Sequence, residues 1–157
     1  MAFAGFGLSA AAHVVTFFGI VPRWLWLADI GASILFVIGL AASLRVFKET
    51  SHGEFGRKVF RRVPIWMAKS FFGLFAYVVV NFLIVVFYLN EGGVPSRDDN
   101  GFVLRDHGRV IRRLSEADYH LHKCYTARLS SEHDMLFYCF SGLMLCAARR
   151  PIKPAPT

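Results

Sequence analysis

Four polar side chains interrupt long apolar stretches of the sequence and are the first candidates for chemistry: His13, Thr16, Asp29 and Asn81. Polar groups are costly inside a lipid bilayer, so a polar residue at that depth is a functional candidate by default. At a helical rise of ~1.5 Å per residue, His13 and Asn81 lie about 15–16 Å from the inner edge of the apolar layer, and Thr16 and Asp29 about 20–22 Å. The sequence therefore predicts one intramembrane polar cluster.

This predicted cluster has two interpretations. In the first it handles protons or cations, with His13 and Asp29 as the titrating groups. In the second it is structural: His13 and Asn81 hydrogen-bond between helices, and Asp29 lies near the membrane surface beside Arg23 or an arginine of the outer loop. The structural interpretation is favoured, because one Asp within two turns of a helix end does not form a path across a membrane.

A second candidate for chemistry is the segment from His120 to Cys124. His120 and Cys124 are four residues apart and share a helix face, a spacing that can hold two ligands of zinc or copper. His122 points to almost the opposite face, so the segment supplies two ligands where tetrahedral zinc takes four. Solvated surface histidines are therefore favoured over a metal site, and we expect no cofactor.

Motifs of the common enzyme classes are missing from the sequence. It has no Gly-rich phosphate loop after a strand, no nucleophile elbow and no H-E-x-x-H motif. Its three cysteines form no C-x-x-C pair. The charged run Glu132-His133-Asp134 is interpreted as a boundary at the membrane surface rather than as an acid–base pair. We therefore expect a protein that is not an enzyme.

Four apolar segments are predicted to position these residues as transmembrane helices: 3–21, 24–44, 70–89 and 131–148. About 20 apolar helical residues cover the ~30 Å hydrocarbon layer of a bilayer. The fold class predicted is an all-α membrane protein of one domain, 1–157, with four transmembrane helices and a small extracytoplasmic hairpin-plus-helix cap at 90–130.

The distribution of positive charge sets the predicted orientation. The net charge is +7, and the loop 45–69 holds seven Lys or Arg against two Glu. The C-terminal tail adds Arg149, Arg150 and Lys153. Lys and Arg are retained on the cytoplasmic side during insertion, so this loop and both termini are predicted to be cytoplasmic. The excess positive charge is therefore interpreted as a signal for membrane orientation, and no nucleic-acid partner is expected.

The cytoplasmic loop also has the pattern of an interfacial amphipathic helix. Its apolar residues recur every four positions at Phe55, Val59 and Val63. Its basic residues are Arg57, Lys58, Arg61 and Arg62. Such a helix is expected to lie on anionic lipid headgroups. The alternative is a short basic connector.

The cap is predicted to be ordered. Two β-favouring runs within residues 102–114 flank Asp106-His107-Gly108, which predicts a hairpin with a three-residue turn. Ser115 and Asp118 then match a capping box that begins a helix. This helix is expected to continue into the fourth transmembrane segment.

Several short motifs carry a resemblance to known proteins: Pro64-Ile65-Trp66-Met67, Asn81-Phe82, His107-Gly108, Leu114-Ser115-Glu116-Ala117-Asp118-Tyr119 and Arg128-Leu129…His133. In these the chain resembles a group of small bacterial polytopic membrane proteins of uncharacterised activity. Those proteins typically read R-L-F-S-G-H-W-M where this chain has residues 128–135. The resemblance implies a bacterial inner-membrane location and implies no activity.

The function favoured by the sequence is a non-catalytic accessory or interaction subunit that presents the cap to a membrane or periplasmic protein. The first alternative is a small transporter of protons, ions or solutes that uses His13, Asp29 and Asn81. The second is a membrane metal-binding or redox component that uses His120 and Cys124.

Overall fold

A computed structural model describes residues 2–48, 54–91 and 93–149. These residues are mostly helical and contain one small antiparallel sheet. The elements, in chain order, are α1 (Ala2–Thr16), α2 (Leu25–Lys48), α3 (Phe55–Arg62), α4 (Ile65–Ile84) with a π-helical turn (Val85–Leu89), β1 (Val94–Asp98), β2 (Gly101–Asp106), β3 (Arg109–Leu114) and α5 (Glu116–Arg149).

Two of the described helices are long and apolar enough to cross a membrane: α2, and α4 together with its π-helical turn. In the most apolar 18-residue stretch of each helix, only 22% of the residues of α2 and 11% of those of α4 with its π-helical turn are buried inside the protein. Large apolar side chains point outward instead, among them Val37, Ile65 and Phe87, which are 64%, 72% and 68% exposed. By length and composition the described chain thus has two such helices where the sequence predicted four.

The first helix is shorter than the predicted span 3–21. It ends at Thr16, because the next turn closes as a Schellman motif around Gly19. The Gly19 amide donates to the Thr16 carbonyl at 3.2 Å, and the Ile20 amide donates to the Val15 carbonyl at 3.2 Å. Gly19 has φ +76°, which a residue without a Cβ adopts easily. The helix therefore stops before Pro22, where the sequence placed its end.

The last helix is longer than the predicted span 131–148. The cap helix and the fourth apolar segment form one continuous helix, α5, of 34 residues, which is about 51 Å long. Ser115 caps it: the Asp118 amide donates to Ser115 Oγ at 3.1 Å, and Ser115 Oγ donates to Asp118 Oδ2 at 2.8 Å. The predicted capping residues therefore begin this helix.

Helix α5 lies at the centre of the bundle and contacts every other element. The contacts of α1 run antiparallel to α5: Gly5 packs on Tyr138, and His13 bonds Ser131. Contacts of α4 run the same way, from the Phe71–Phe140 ring pair to the Asn81–Glu132 bond. Helix α2 is parallel to α5, since Asp29 bonds Ser130 and Gly39 packs on Ser141. The four long helices thus alternate in direction along the chain.

The sheet lies at the N-terminal end of α5, where Phe102 stacks on Tyr119 with ring centroids 4.5 Å apart. Its strand order is β1-β2-β3. Asp106 pairs with Arg109, so the turn has two residues, His107 and Gly108, with φ 46° and 84°. The hairpin occurs where predicted, with a two-residue turn in place of three because both residues adopt positive φ. Strand β1, which contains Pro95 and forms one edge of the sheet, is an addition to the predicted hairpin.

The amphipathic helix α3 packs at the opposite end, against the last turns of α5. Val59 and Val63 join a buried cluster with Leu143 and Ala147. Arg62 is buried beside them, and its Nη1 donates to the Ala147 carbonyl at 3.4 Å. Of the four basic residues predicted to face lipid headgroups, Arg62 is instead turned inward and binds the Ala147 carbonyl in the last turn of α5.

Candidate functional site

The middle of α5 carries an unusual concentration of buried polar side chains. Ser131 and Glu132 are 0% exposed, and Asp134 is 4% exposed. Because an α-helix advances about 100° per residue, neighbouring positions on α5 face different partner helices. Residues 128–134 therefore reach α1, α4 and α2 at once; we call these side chains and their bonded partners the α5 network.

His13 of α1 joins the α5 network through both ring nitrogens. Its Nδ1 lies 3.1 Å from Ser131 Oγ and 3.3 Å from the Arg128 carbonyl, and its Nε2 lies 2.5 Å from Tyr77 Oη. A carbonyl only accepts, so Nδ1 carries the proton and Nε2 accepts from the tyrosine hydroxyl. The ring therefore links α1, α4 and α5 in its neutral form. The expected partner Asn81 lies one turn beyond Tyr77 on α4.

Thr16 lies next to His13 and holds Arg128. Its hydroxyl donates to the His13 carbonyl at 2.6 Å and accepts from Arg128 Nε at 3.4 Å. The Arg128 guanidinium also stacks on the Phe17 ring, 3.7 Å from its centroid. A planar guanidinium suits both the hydroxyl and the aromatic face. The cation is thus fixed at the outer edge of the α5 network.

Asn81 binds the most deeply buried carboxyl group of the described chain. Its Nδ2 donates to Glu132 Oε2 at 2.5 Å. No described group hydrogen-bonds to Glu132 Oε1, which is fully buried. Arg128, one turn earlier on α5, acts on Glu132 electrostatically. The carboxyl group therefore has one satisfied oxygen and one that needs a proton, a water molecule or a cation.

Asp29 of α2 forms a carboxyl pair with Asp134. The two carboxyl groups act on each other electrostatically, and Asp29 Oδ1 accepts from Ser130 Oγ at 2.7 Å. Like charges disfavour the ionisation of both groups, so one carboxyl group of the pair holds a proton. Asp134 Oδ2 is buried and has no partner among the described groups. Asp29 thus bonds α5, away from the Arg23 environment that the sequence suggested.

A cleft reaches the α5 network from the sheet end of the bundle. Its volume is about 470 Å³, and Thr16 and Arg128 lie at its wall together with His120 and Cys124. The cleft therefore gives solvent a route to the Arg128 end of the network.

His120 and Cys124 do not form a metal site with other described residues. His120 is exposed, whereas Cys124 is 3% exposed. Burial raises the pKa of the Cys124 thiol, which disfavours the thiolate that a metal needs. Within residues 2–48, 54–91 and 93–149, no three His, Cys, Asp or Glu side chains are grouped to hold a metal ion.

His122, by contrast, has a defined structural role in the cap. Its Nδ1 donates to Asn90 Oδ1 at 2.8 Å, and its Nε2 accepts from Arg112 Nη2 at 3.3 Å. Burial, reinforced by the Arg112 guanidinium, lowers the pKa of His122. The imidazole therefore joins α4, the sheet and α5 in its neutral form.

The remaining predicted basic residues lie on the outer side of α3. Arg57 and Arg61 are exposed and Lys58 is half-buried. Arg57 pairs with Glu54 at the start of the helix. These side chains thus lie at the end of the bundle where α5 terminates, with Arg62 turned inward.

Sequence reasoning missed six members of the α5 network: Tyr77, Arg128, Ser130, Ser131, Glu132 and Asp134. The signal that could have found three of them is spacing, since Arg128, Ser131 and Glu132 are three and four residues apart, as on one helix face. A charged run such as Glu132-His133-Asp134 is typical of the membrane surface, and that interpretation does not predict the burial of Glu132 and Asp134.

Comparisons with protein families, with curated proteins and with solved structures find no match to this chain. The case for a function therefore depends on the geometry of the α5 network.

Proposed function

We propose that the chain is a small multi-pass protein of a bacterial inner membrane that takes up and releases protons at the buried carboxyl groups of the α5 network. It crosses the bilayer four times, through α1, α2, α4 and the C-terminal half of α5, with both termini in the cytoplasm.

The membrane assignment is supported by the outward apolar surface of α2 and α4. A water-soluble bundle would turn such surfaces inward, whereas lipid solvates them. The alternating directions of the four long helices fit four crossings. Basic residues of α3 and Arg149 gather at one end of the bundle, as a cytoplasmic side requires.

Glu132 carries the functional proposal. An ionised carboxylate without a full set of partners is strongly destabilised in an apolar bundle, so the side chain holds a proton or a cation. Asn81 occupies Oε2, which leaves Oε1 as the exchanging atom. The cleft at the sheet end has Arg128 in its wall, one turn of α5 before Glu132. Protons therefore enter from the outer side.

The carboxyl pair Asp29–Asp134 supplies a second protonated site on the same helix. Asp134 lies about half a turn beyond Glu132 on α5, and Tyr138 follows one turn later, in electrostatic contact with both aspartates. Neutral side-chain amides can hold helices together without binding a proton. A series of groups that each hold or share a proton therefore favours a proton-handling transporter over a purely structural cluster.

The test is proton flux in liposomes that enclose a pH-sensitive dye. Under an imposed pH gradient, we expect the wild-type chain to conduct protons and Glu132→Gln to lose at least about 90% of the rate, since Gln cannot exchange a proton. The matched control is Glu116→Gln, the same change at an exposed position of α5, which keeps the rate. Equal rates for the two variants would refute the proposal.

A second candidate function, the accessory subunit, is favoured by strand β3. Its residues Arg109 to Arg113 are all exposed, and it forms an open edge of the sheet. Val110 and Ile111 add apolar surface, at 48% and 43% exposed. An edge of this kind can accept a strand from another protein.

The interaction is tested with a photo-crosslinking residue at position 110 in native membranes. Capture of one reproducible protein from position 110, and none from exposed position 97 on the opposite edge, supports the accessory function. Failure to capture any protein from position 110 argues against it.

A further inference from the structure

An apolar groove lies at the basic end of the bundle, between α1, α4 and α5. Its volume is about 520 Å³, and its walls include Phe3, Phe6, Met67 and Leu145. It lies remote from the cleft that reaches Arg128, and it uses none of the carboxyl groups of the α5 network. Its position on the lateral surface of the bundle opens it toward lipid.

The shape of the groove matches one lipid leaflet. On α5 its lining begins at Tyr138 and continues to Arg149. Eleven helical steps correspond to ~16 Å, which is about half of the ~30 Å hydrocarbon layer. A chain lying in the groove therefore begins at the membrane surface and ends near the bilayer centre.

Gly142, in the middle of α5, forms part of the groove wall. Glycine weakens a helix interior relative to alanine by roughly 0.5–1 kcal/mol, so an interior glycine usually has a packing reason. Here no atom lies within 4 Å of the position that a Cβ would occupy. No protein neighbour requires a glycine there, and its missing side chain widens the groove.

The two ends of the groove differ in polarity. Arg149 and Ser70 lie on its walls, with Trp66 beside them. Trp is typical of the membrane–water interface, and an arginine there binds phosphate. The far end is lined by apolar side chains such as Phe6 and Cys139. The charge at one end and the apolar lining along the rest complement an anionic lipid.

We propose that the groove binds one acyl chain of an anionic phospholipid, whose phosphate pairs with Arg149. This assignment rests on the proposed membrane crossing and not on proton exchange at Glu132. A neutral phospholipid, a free phosphate and a second copy of the chain are the competing occupants.

The experiment is native mass spectrometry of the detergent-purified chain titrated with dioleoylphosphatidylglycerol or dioleoylphosphatidylcholine. We expect one tightly bound phosphatidylglycerol per chain, with phosphatidylcholine bound about tenfold more weakly. Arg149→Gln should weaken phosphatidylglycerol binding by about tenfold and phosphatidylcholine binding by less, because the choline cation already offsets the charge of its phosphate. Inorganic phosphate should not displace the lipid.

Gly142→Leu fills the groove and should weaken the bound lipid by at least about tenfold. The matched control is Gly7→Leu, an exposed glycine of α1 that also has open space around it and is not part of the groove wall. Gly7→Leu should bind as wild type. Because both changes replace a helical glycine, neither is expected to unfold its helix.

Wild-type affinity in Gly142→Leu, equal affinity for the two lipids, displacement by inorganic phosphate, or a dimer in place of the lipid would overturn the assignment. Glu132→Gln should bind lipid as wild type. Loss of proton flux with intact lipid binding, or the reverse, therefore separates this assignment from the proposed function.

Discussion

Asn81 of α4 donates a hydrogen bond to Glu132 of α5 at 2.5 Å, across the helix interface. The two residues lie 51 positions apart in the chain. This bond satisfies one oxygen of a carboxyl group that is fully buried and leaves the other without a described partner.

The bond between His13 and Tyr77 should contribute measurably to stability. Tyr77→Phe removes the donor to His13 Nε2, which stays largely buried, and should lower the free energy of unfolding by about 0.5–2 kcal/mol. Tyr88→Phe is the control, because Tyr88 is 80% exposed. Denaturant unfolding in detergent measures both, and equal effects would contradict the role given to the His13 bond.

The Asp29–Asp134 pair should tolerate an amide better than an apolar residue. An Asn side chain at position 134 can donate a hydrogen bond to Asp29 without a proton shared between two carboxyl groups. Asp134→Asn should therefore change the free energy of unfolding by less than about 1 kcal/mol. Asp134→Leu leaves Asp29 without this partner and should cost about 1–3 kcal/mol. Thermal unfolding ranks the two variants, and a loss in Asp134→Asn as large as that in Asp134→Leu would contradict the pairing.

The cap should lose stability on acidification. Burial lowers the pKa of His122 below its usual value of 6.5, so the unfolded chain binds a proton at a higher pH than the folded chain does. The contribution of His122 to the free energy of unfolding is therefore complete above about pH 6.5. This contribution is lost as the pH falls from there through the lowered pKa of His122.

This pH dependence is tested by unfolding midpoints between about pH 7.5 and 5. The fall on acidification should be smaller in His122→Gln than in wild type, while His120→Gln, at an exposed position, should retain the wild-type slope. An unchanged slope in His122→Gln would contradict the prediction.

Arg62 should matter more than Arg61 for the attachment of α3. Arg62 is buried and donates to the Ala147 carbonyl in the last turn of α5, where a cation also interacts favourably with the helix dipole. Arg62→Gln should therefore destabilise the fold by about 1–2 kcal/mol, and Arg61→Gln by less than about 0.5 kcal/mol. Protease susceptibility near α3 gives a second measurement, and similar behaviour of both variants would contradict this contact.

The sequence predicted those parts of the fold that depend on local signals. Apolar length predicted α2 and α4, and the Asp106-His107-Gly108 turn predicted the hairpin. Ser115 and Asp118 marked the start of α5, because a capping box acts within four residues. The predicted end of α1 lies too late in the chain. Pro22 is a stronger helix breaker than Gly19, but Gly19 comes earlier, and the Schellman turn around it already ends the helix.

The α5 network could be predicted only in part, because its bonds join distant parts of the chain. The sequence identified His13, Thr16, Asp29 and Asn81 from their depth in apolar segments. It could not assign their partners, since helix rotation and crossing are set by packing, such as that of Gly39 on Ser141. The continuity of α5 was predicted and is confirmed, but the packing of α4 that buries Glu132 could not be predicted from the hydropathy of 131–148.

Protonation of Glu132 is the central claim, and infrared difference spectroscopy measures it directly. When the pH outside the reconstituted chain is changed, we expect the C=O stretching band of a protonated carboxylic acid to change in wild type and in Glu116→Gln. The same band component should be missing in Glu132→Gln. A spectrum of Glu132→Gln identical to that of wild type would contradict proton exchange at this residue.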